Sequence, residues 1–162
     1  MTVLHDTGTV VLDEIDAKIL EILQRKGRTR RNDLAERVGL SLPSVSERLH
    51  KLEENGTITG YYATVDAKKL GRDITAFIFV TSDSSKHYGQ LLDHAAALDE
   101  ILECHAITGE GSHLFKVRTS NTASLERLLA KIQAWPGVLS TRTNLVLSTS
   151  KESMRIKVEA TK

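Results

Sequence analysis

Residues 31–60, RNDLAERVGLSLPSVSERLHKLEENGTITG, spell two helices joined by a tight turn, and they constrain the fold more than any other stretch. Ala35, Gly39 and Val45 are spaced four and then six residues apart. That spacing puts a small residue where two helices touch, a glycine at the left-handed turn, and a β-branched anchor in the second helix. Ser41 is placed to cap the second helix, with Pro43 in its first turn. Val45, Leu49 and Leu52 recur on one face, and Asn55 with Gly56 ends the run. A helix mounted in this way can enter a DNA major groove.

An amphipathic helix precedes the motif. Leu12, Ile15, Ile19, Ile22 and Leu23 form its apolar stripe, Asp13, Asp16 and Lys18 lie off it, and Gly27 ends it. Leu34, Ala35 and Val38 mark a short middle helix that Gly39 closes. After the third helix, Ile58, Tyr61 and Tyr62 alternate imperfectly with Thr57, Thr59 and Gly60, which predicts a small wing or connecting strand.

From Gly71 onward the pattern changes. ITAFIFVT, residues 74–81, reads as a strand covered on both faces. Tyr88, Leu91, Leu92, Ala95 and Leu98 give a helix. Residues 101–108 and 114–119 read as strands joined across residues 109–112. Leu125, Leu128, Leu129 and Ile132 give a second helix, stopped by Trp135, Pro136 and Gly137; residues 138–148 alternate as a last strand. The order βαββαβ is the ferredoxin-like pattern. Ile156 and Val158 suggest a further short strand in the tail.

The expected class is therefore α+β: a winged helix-turn-helix followed by a ferredoxin-like βαββαβ domain. The expected boundaries are an arm at 1–11, the DNA-binding domain at 12–60, a linking strand or hinge at 61–72, the second domain at 73–150 and a tail at 151–162.

Composition mainly excludes. The net charge is +1 over 162 residues and residues 1–66 are slightly acidic, so DNA affinity has to come from local placement of cations. Cys104 is the single cysteine, so no internal disulfide can form and a reducing, cytoplasmic setting is the natural expectation. No apolar run approaches a membrane span, and no signal peptide is evident. Cys104, His105 and His113 do not make a metal site, because Cys104 and His105 are adjacent on a strand and point to opposite faces. No nucleophile elbow or phosphate-cradling glycine loop is present, so neither catalytic residues nor a cofactor are expected.

On the third helix, 100° steps from the Val45, Leu49 and Leu52 face turn Glu47, His50, Lys51 and Glu54 outward and leave Ser44, Ser46 and Arg48 on the flanks. Ser44, Ser46, Glu47 and Arg48 are candidates for base edges and phosphates, with Ser41 and Pro43 at the helix start and Lys51 on the backbone. A solvated helix face is the duller alternative. The acid-free run Arg25, Lys26, Arg28, Arg30, Arg31 would release counterions from DNA, with Arg30 and Arg31 nearest the amides that open the middle helix; a solvated loop is the alternative there.

The chain resembles the Lrp/AsnC, or feast/famine, family of transcriptional regulators. The resemblance runs through LDEIDAKILEILQRKGR (12–28), LAERVGLSLPSVSERLHKLEENGTITGYYATVD (34–66), ECHAITGEGSHLFKV (103–117) and PGVLSTRTNLVL (136–147). It implies a C-terminal ACT-like domain that senses small molecules, usually amino acids, and assembles dimers into tetramers or octamers. It also implies double-stranded DNA as partner, read as a pseudo-palindromic operator. The family's effector turn commonly runs glycine, two variable residues, aspartate, aromatic; here it is Gly109, Glu110, Gly111, Ser112 and His113, opposed by Thr141, Arg142 and Thr143. Serine keeps a hydrogen bond and loses the charge. An ordinary hairpin turn is the alternative for these glycines. Two other functions stay open: an effector-independent architectural DNA binder, and an enzyme like the sirohaem decarboxylases, which resemble this family in layout and would need a tetrapyrrole pocket.

Overall fold

The computed structural model describes residues 10–161, and the side chains of Ser84 and Ser85 are excepted. All but the last two residues of the arm expected at 1–11 lie outside the described residues. The chain forms two compact units. The first ends at Thr64 and also takes in the chain from Glu152 onward; the second is Val65–Lys151.

In the first unit, α1 (Glu14–Arg25), α2 (Arg31–Val38) and α3 (Leu42–Glu54) share one apolar core. Ile19 and Leu20 of α1, Leu34 and Ala35 of α2, and Val45, Leu49 and Leu52 of α3 are all buried in it. Each helix starts or stops where its sequence provides for it. The Asp13 carboxylate accepts from Asp16 N–H at 2.7 Å and caps α1. Gly39 takes φ +71°, a left-handed conformation that a side chain would resist, and Leu40 N–H returns to the Ala35 carbonyl at 3.0 Å. Ser41 caps α3 through Ser44 N–H.

Two local expectations fail, one from residue 57 into the start of the second unit and one in the tail. No strand forms over residues 57–62 or along the expected linker at 61–72. A strand exists only where a neighbour takes its backbone bonds, and here those groups turn inward on local partners. Thr57 N–H bonds the Asn55 side chain at 3.0 Å, Ile58 N–H bonds the Leu52 carbonyl at 2.8 Å, and Arg72 N–H closes a turn onto the Ala67 carbonyl. The tail is likewise extended without being a strand, because its partner is a helix side chain. The Gln24 carboxamide accepts from Ile156 N–H at 2.7 Å and donates to its carbonyl at 2.9 Å. Further on, Thr161 N–H bonds the Leu12 carbonyl at 2.8 Å, and Val158 packs against the core between these anchors.

The second unit runs β1 (Ile74–Ser82), α4 (Ser84–Ala96), β2 (Ile101–Ala106), β3 (His113–Thr119), α5 (Thr122–Gln133) and β4 (Val138–Leu145), three residues short of the predicted end of the last strand. The strands lie in the order β2-β3-β1-β4, all neighbours antiparallel, as the ferredoxin-like pattern requires. Ala76, Ile78 and Val80 of β1 and Phe115 and Val117 of β3 are fully buried against Leu91, Leu128 and Ile132 of the helices. Period-two alternation sends Phe77 and Phe79 to the opposite face of the sheet. Asn121 and Ser124 cap α5 reciprocally, each side chain bonding the other's backbone N–H.

Gln24→Ala removes both tail bonds with no loss of core volume. It is expected to destabilise the first unit by about 1 kcal/mol in urea unfolding and to speed proteolysis near Ile156; a tail as resistant as that of the parent protein would show that these bonds carry no weight.

Candidate nucleic-acid interface and effector turn

The first candidate site is the flank of α3. A groove of about 470 Å³ runs beside it, with Ser44, Glu47, Arg48 and Lys51 on one wall and residues 10–12 and Asp16 on the other. Ser41 faces its own helix: its hydroxyl lies 2.8 Å from Ser44 Oγ and accepts from Ser44 N–H, and Pro43 fills the first turn behind it. Ser46 is half-buried, while Glu47 and Lys51 stand exposed and pair with each other at 2.7 Å across one helical turn. The Lys51 ammonium holds the Glu47 carboxyl below the usual carboxylate range. An exposed pair of this kind is weak and screened by salt, so a DNA phosphate can take Lys51 from it. Arg30 and Arg31 are exposed at the start of α2.

Arg48 lies on the flank of α3 where periodicity puts it, and there it is paired with acids from α1. Its Nη1 donates to Asp13 Oδ2 at 2.6 Å and to Asp16 Oδ1 at 2.8 Å, both at the start of α1. The Asp16 N–H is the leading cause of a lowered Asp13 pKa, and the Arg48 guanidinium lowers it further. The two acids raise the arginine in return. Periodicity places Arg48 on the flank of α3 but says nothing of the acids a neighbouring helix brings to it. The signal that was available is the three-residue spacing of Asp13 and Asp16, which puts both on one side of α1.

The second candidate site is the turn between β2 and β3. Gly111 has φ +90°, and a Cβ there would lie 3.1 Å from the Val80 carbonyl oxygen, so the turn rests directly on β1. Ser112 fastens it: its N–H donates to the Val80 carbonyl at 2.8 Å, and its hydroxyl accepts from Ser82 N–H, lies 2.7 Å from Ser82 Oγ and contacts the Val80 carbonyl at 3.1 Å. This hydroxyl is used inside the fold. A carboxylate in its place would face the Val80 carbonyl with no proton to offer it.

The predicted effector residues fall on both faces of the sheet. Glu110 forms an ion pair with Arg142, whose guanidinium lies 4.6 Å from the centre of the Phe79 ring, its cross-strand partner. Thr141 and Thr143 pair with Val80 and Ile78 and point the other way; Thr141 Oγ1 accepts from Gln133 Nε2 of α5 at 2.8 Å. His113 is 1% exposed, its Nδ1 is 3.0 Å from Ser112 Oγ, and its ring lies 5.3 Å from that of Tyr88. Its Nε2 is buried without a hydrogen-bond partner among the described residues. Gly109, Glu110 and Arg142 thus form the accessible part, with Phe79 as the floor that the motif alone did not disclose.

A three-helix unit with an exposed helix flank, joined in one chain to a βαββαβ unit carrying a glycine turn, defines a DNA-binding regulator with a ligand-binding domain. Residues 12–59 match the model for a winged helix-turn-helix DNA-binding domain, and residues 75–156 match the Lrp/AsnC ligand binding domain. The HTH-type transcriptional regulator FL11 of Pyrococcus horikoshii is 36% identical over 150 residues, covering 93% of this chain and 99% of that protein. The leucine-responsive regulatory protein of Escherichia coli is 34% identical over 151 residues, covering 91% and 92%. Among solved structures, Escherichia coli AsnC superposes with TM-score 0.84 at 33% identity over 92% of this chain and 100% of that one. A Neisseria meningitidis transcriptional regulator in complex with L-Met gives 0.83 at 28% identity, over 90% and 96%. The chain belongs to the Lrp/AsnC family of transcriptional regulators. No helix among the described residues is long and apolar enough to cross a membrane.

Burial pushes the His113 pKa below its ordinary 6.5, so the folded protein holds it neutral where the unfolded chain would take a proton. The stability this gives is complete above 6.5 and is lost as pH falls below it. Melting temperature is therefore expected to fall between about pH 7 and about pH 5, and His113→Phe, which keeps a ring against Tyr88, should flatten that slope; an unchanged slope assigns the titration elsewhere.

Proposed function

We propose that the protein is a sequence-specific regulator that reads a pseudo-palindromic operator as a homodimer, with two α3 helices in successive major-groove faces about 34 Å apart. In this reading Ser44, Ser46, Glu47 and Lys51 approach bases and phosphates, the start of α3 at Ser41 and Pro43 lies against the backbone, and Arg30 and Arg31 hold phosphates beside α2. The observation that carries it is the exposed α3 flank mounted on a fully buried core, with two exposed arginines opening α2. The βαββαβ units join dimers into tetramers or octamers. The protein is a cytoplasmic binding protein that performs no chemistry.

The effector is a small carboxylate, an amino acid or a close metabolite, taken at the turn of Gly109, Glu110 and Gly111 with Arg142 as its cation. The L-Met complex of the Neisseria relative supports an amino acid. Ser112 and His113 shape that turn from beneath, and Thr141 and Thr143 brace β4. The internal use of the Ser112 hydroxyl favours a second reading, an architectural DNA binder that answers to no effector.

Replacing Arg30 and Arg31 together by alanine should weaken binding to a random-sequence duplex and to a selected one alike, and lower the slope of log affinity against log salt by about 1.8. A constant slope would remove both from the interface. Thermal unfolding against the twenty amino acids and their 2-oxo acids separates the two effector readings. A ligand at a hundred times its dissociation constant adds about 2.7 kcal/mol, which Arg142→Gln should abolish. No shift anywhere in the panel leaves the architectural reading.

A further inference from the structure

The helix that carries the proposed base contacts is held to α1 in two ways. One is the apolar face of Val45, Leu49 and Leu52, which fixes how closely the helices approach but is non-directional. The other is Arg48, three residues beyond Val45 and therefore at the edge of the buried face rather than opposite it. Its two hydrogen bonds to Asp13 and Asp16, at 2.6 and 2.8 Å, are directional. Asp13 is itself fixed, since its other oxygen caps α1. The Asp16 side chain is only 18% exposed and that of Arg48 29%. Swinging the guanidinium out to a base would strand a mostly buried carboxylate.

We propose that Arg48 is a positioning residue of the DNA-binding site: clasped by Asp13 and Asp16, it sets the rotation of α3 about its own axis and touches neither base nor phosphate. Ser44, Glu47 and Lys51 lie on the same flank of α3, so the angle that Arg48 fixes decides where they point. The role rests on the DNA-binding reading above. It also makes an unusual claim about charge. Removing the negative charges of Asp13 and Asp16 ought to help an anionic ligand if they act only through the field, and ought to harm specific binding if they hold the clasp.

The test uses full-length protein and two duplexes, one enriched by the parent protein from a random-sequence library and one of the same composition scrambled. Asp13→Asn with Asp16→Asn is expected to lower the preference for the enriched duplex about tenfold, with the salt slope unchanged. Arg48→Ala should lose a similar factor, and the combined variant no more than either, because all three act through one contact. Should Arg48→Ala fail to fold in thermal unfolding, the exchanged pair Arg48→Asp with Asp16→Arg carries the test and should regain most of the preference. Unchanged or tighter binding by the asparagine variant overturns the positioning role. So does a salt slope lowered by about 0.9 in Arg48→Ala alone, which marks a direct phosphate contact. If the parent protein enriches no duplex at all, the DNA-binding reading fails first and this role falls with it.

Discussion

None of the three helices of the first unit, at 12, 8 and 13 residues, exceeds the length at which a helix becomes stable alone in water. They exist because each gives its apolar stripe to one shared core, and α2, the shortest, does so with only two buried residues, Leu34 and Ala35. This dependence is useful to a DNA-reading unit. Glu47 and Lys51 on the α3 flank are exposed and contribute little to folding, so they are free to be chosen for what they touch. Leu49 and Val45, beneath that flank, are not free in this way.

The same separation holds for polar groups. A donor or acceptor taken out of water needs a partner, and several side chains with attractive chemistry turn out to be spoken for. The Ser112 hydroxyl ties the turn to β1, Ser41 caps α3, Gln24 holds the tail, and Thr141 is bound to α5. What stays available is a smaller set: Lys51 and Glu47 in a loose surface pair, Arg30 and Arg31 at a helix start, and Arg142 over an aromatic ring with Glu110 beside it. Residue type alone identifies both sets together, and only the bonding pattern divides them.

Most of the fold was legible because periodicity is a local property. The apolar spacing from Leu12 to Leu52 and the β-branched run at residues 74–81 both produced the elements they predict, and Gly39 and Ser41 acted as punctuation. The opposite facing of Thr141 and Arg142 was also readable from strand alternation, although grouping them in one motif obscured it. Three features depended on which partner each polar group found, and the spacing of apolar residues does not carry that. Arg48 met acids from another helix. Residues 57–62 found local bonds in place of a strand neighbour. The tail found the side chain of Gln24, 132 positions away.

The closing of the tail on α1 also sets an order in time. Leu12 and Thr161 are 149 residues apart in sequence, and their bond cannot form until the chain between them has been made. A helix-turn-helix usually belongs to the early-folding, locally connected part of a protein. Here the first unit takes its last segment from beyond the ferredoxin-like unit, so its closing contacts wait until that whole unit has been made. A chain interrupted before Glu152 therefore carries α1, α2 and α3 without the strap that Gln24 and Leu12 would hold.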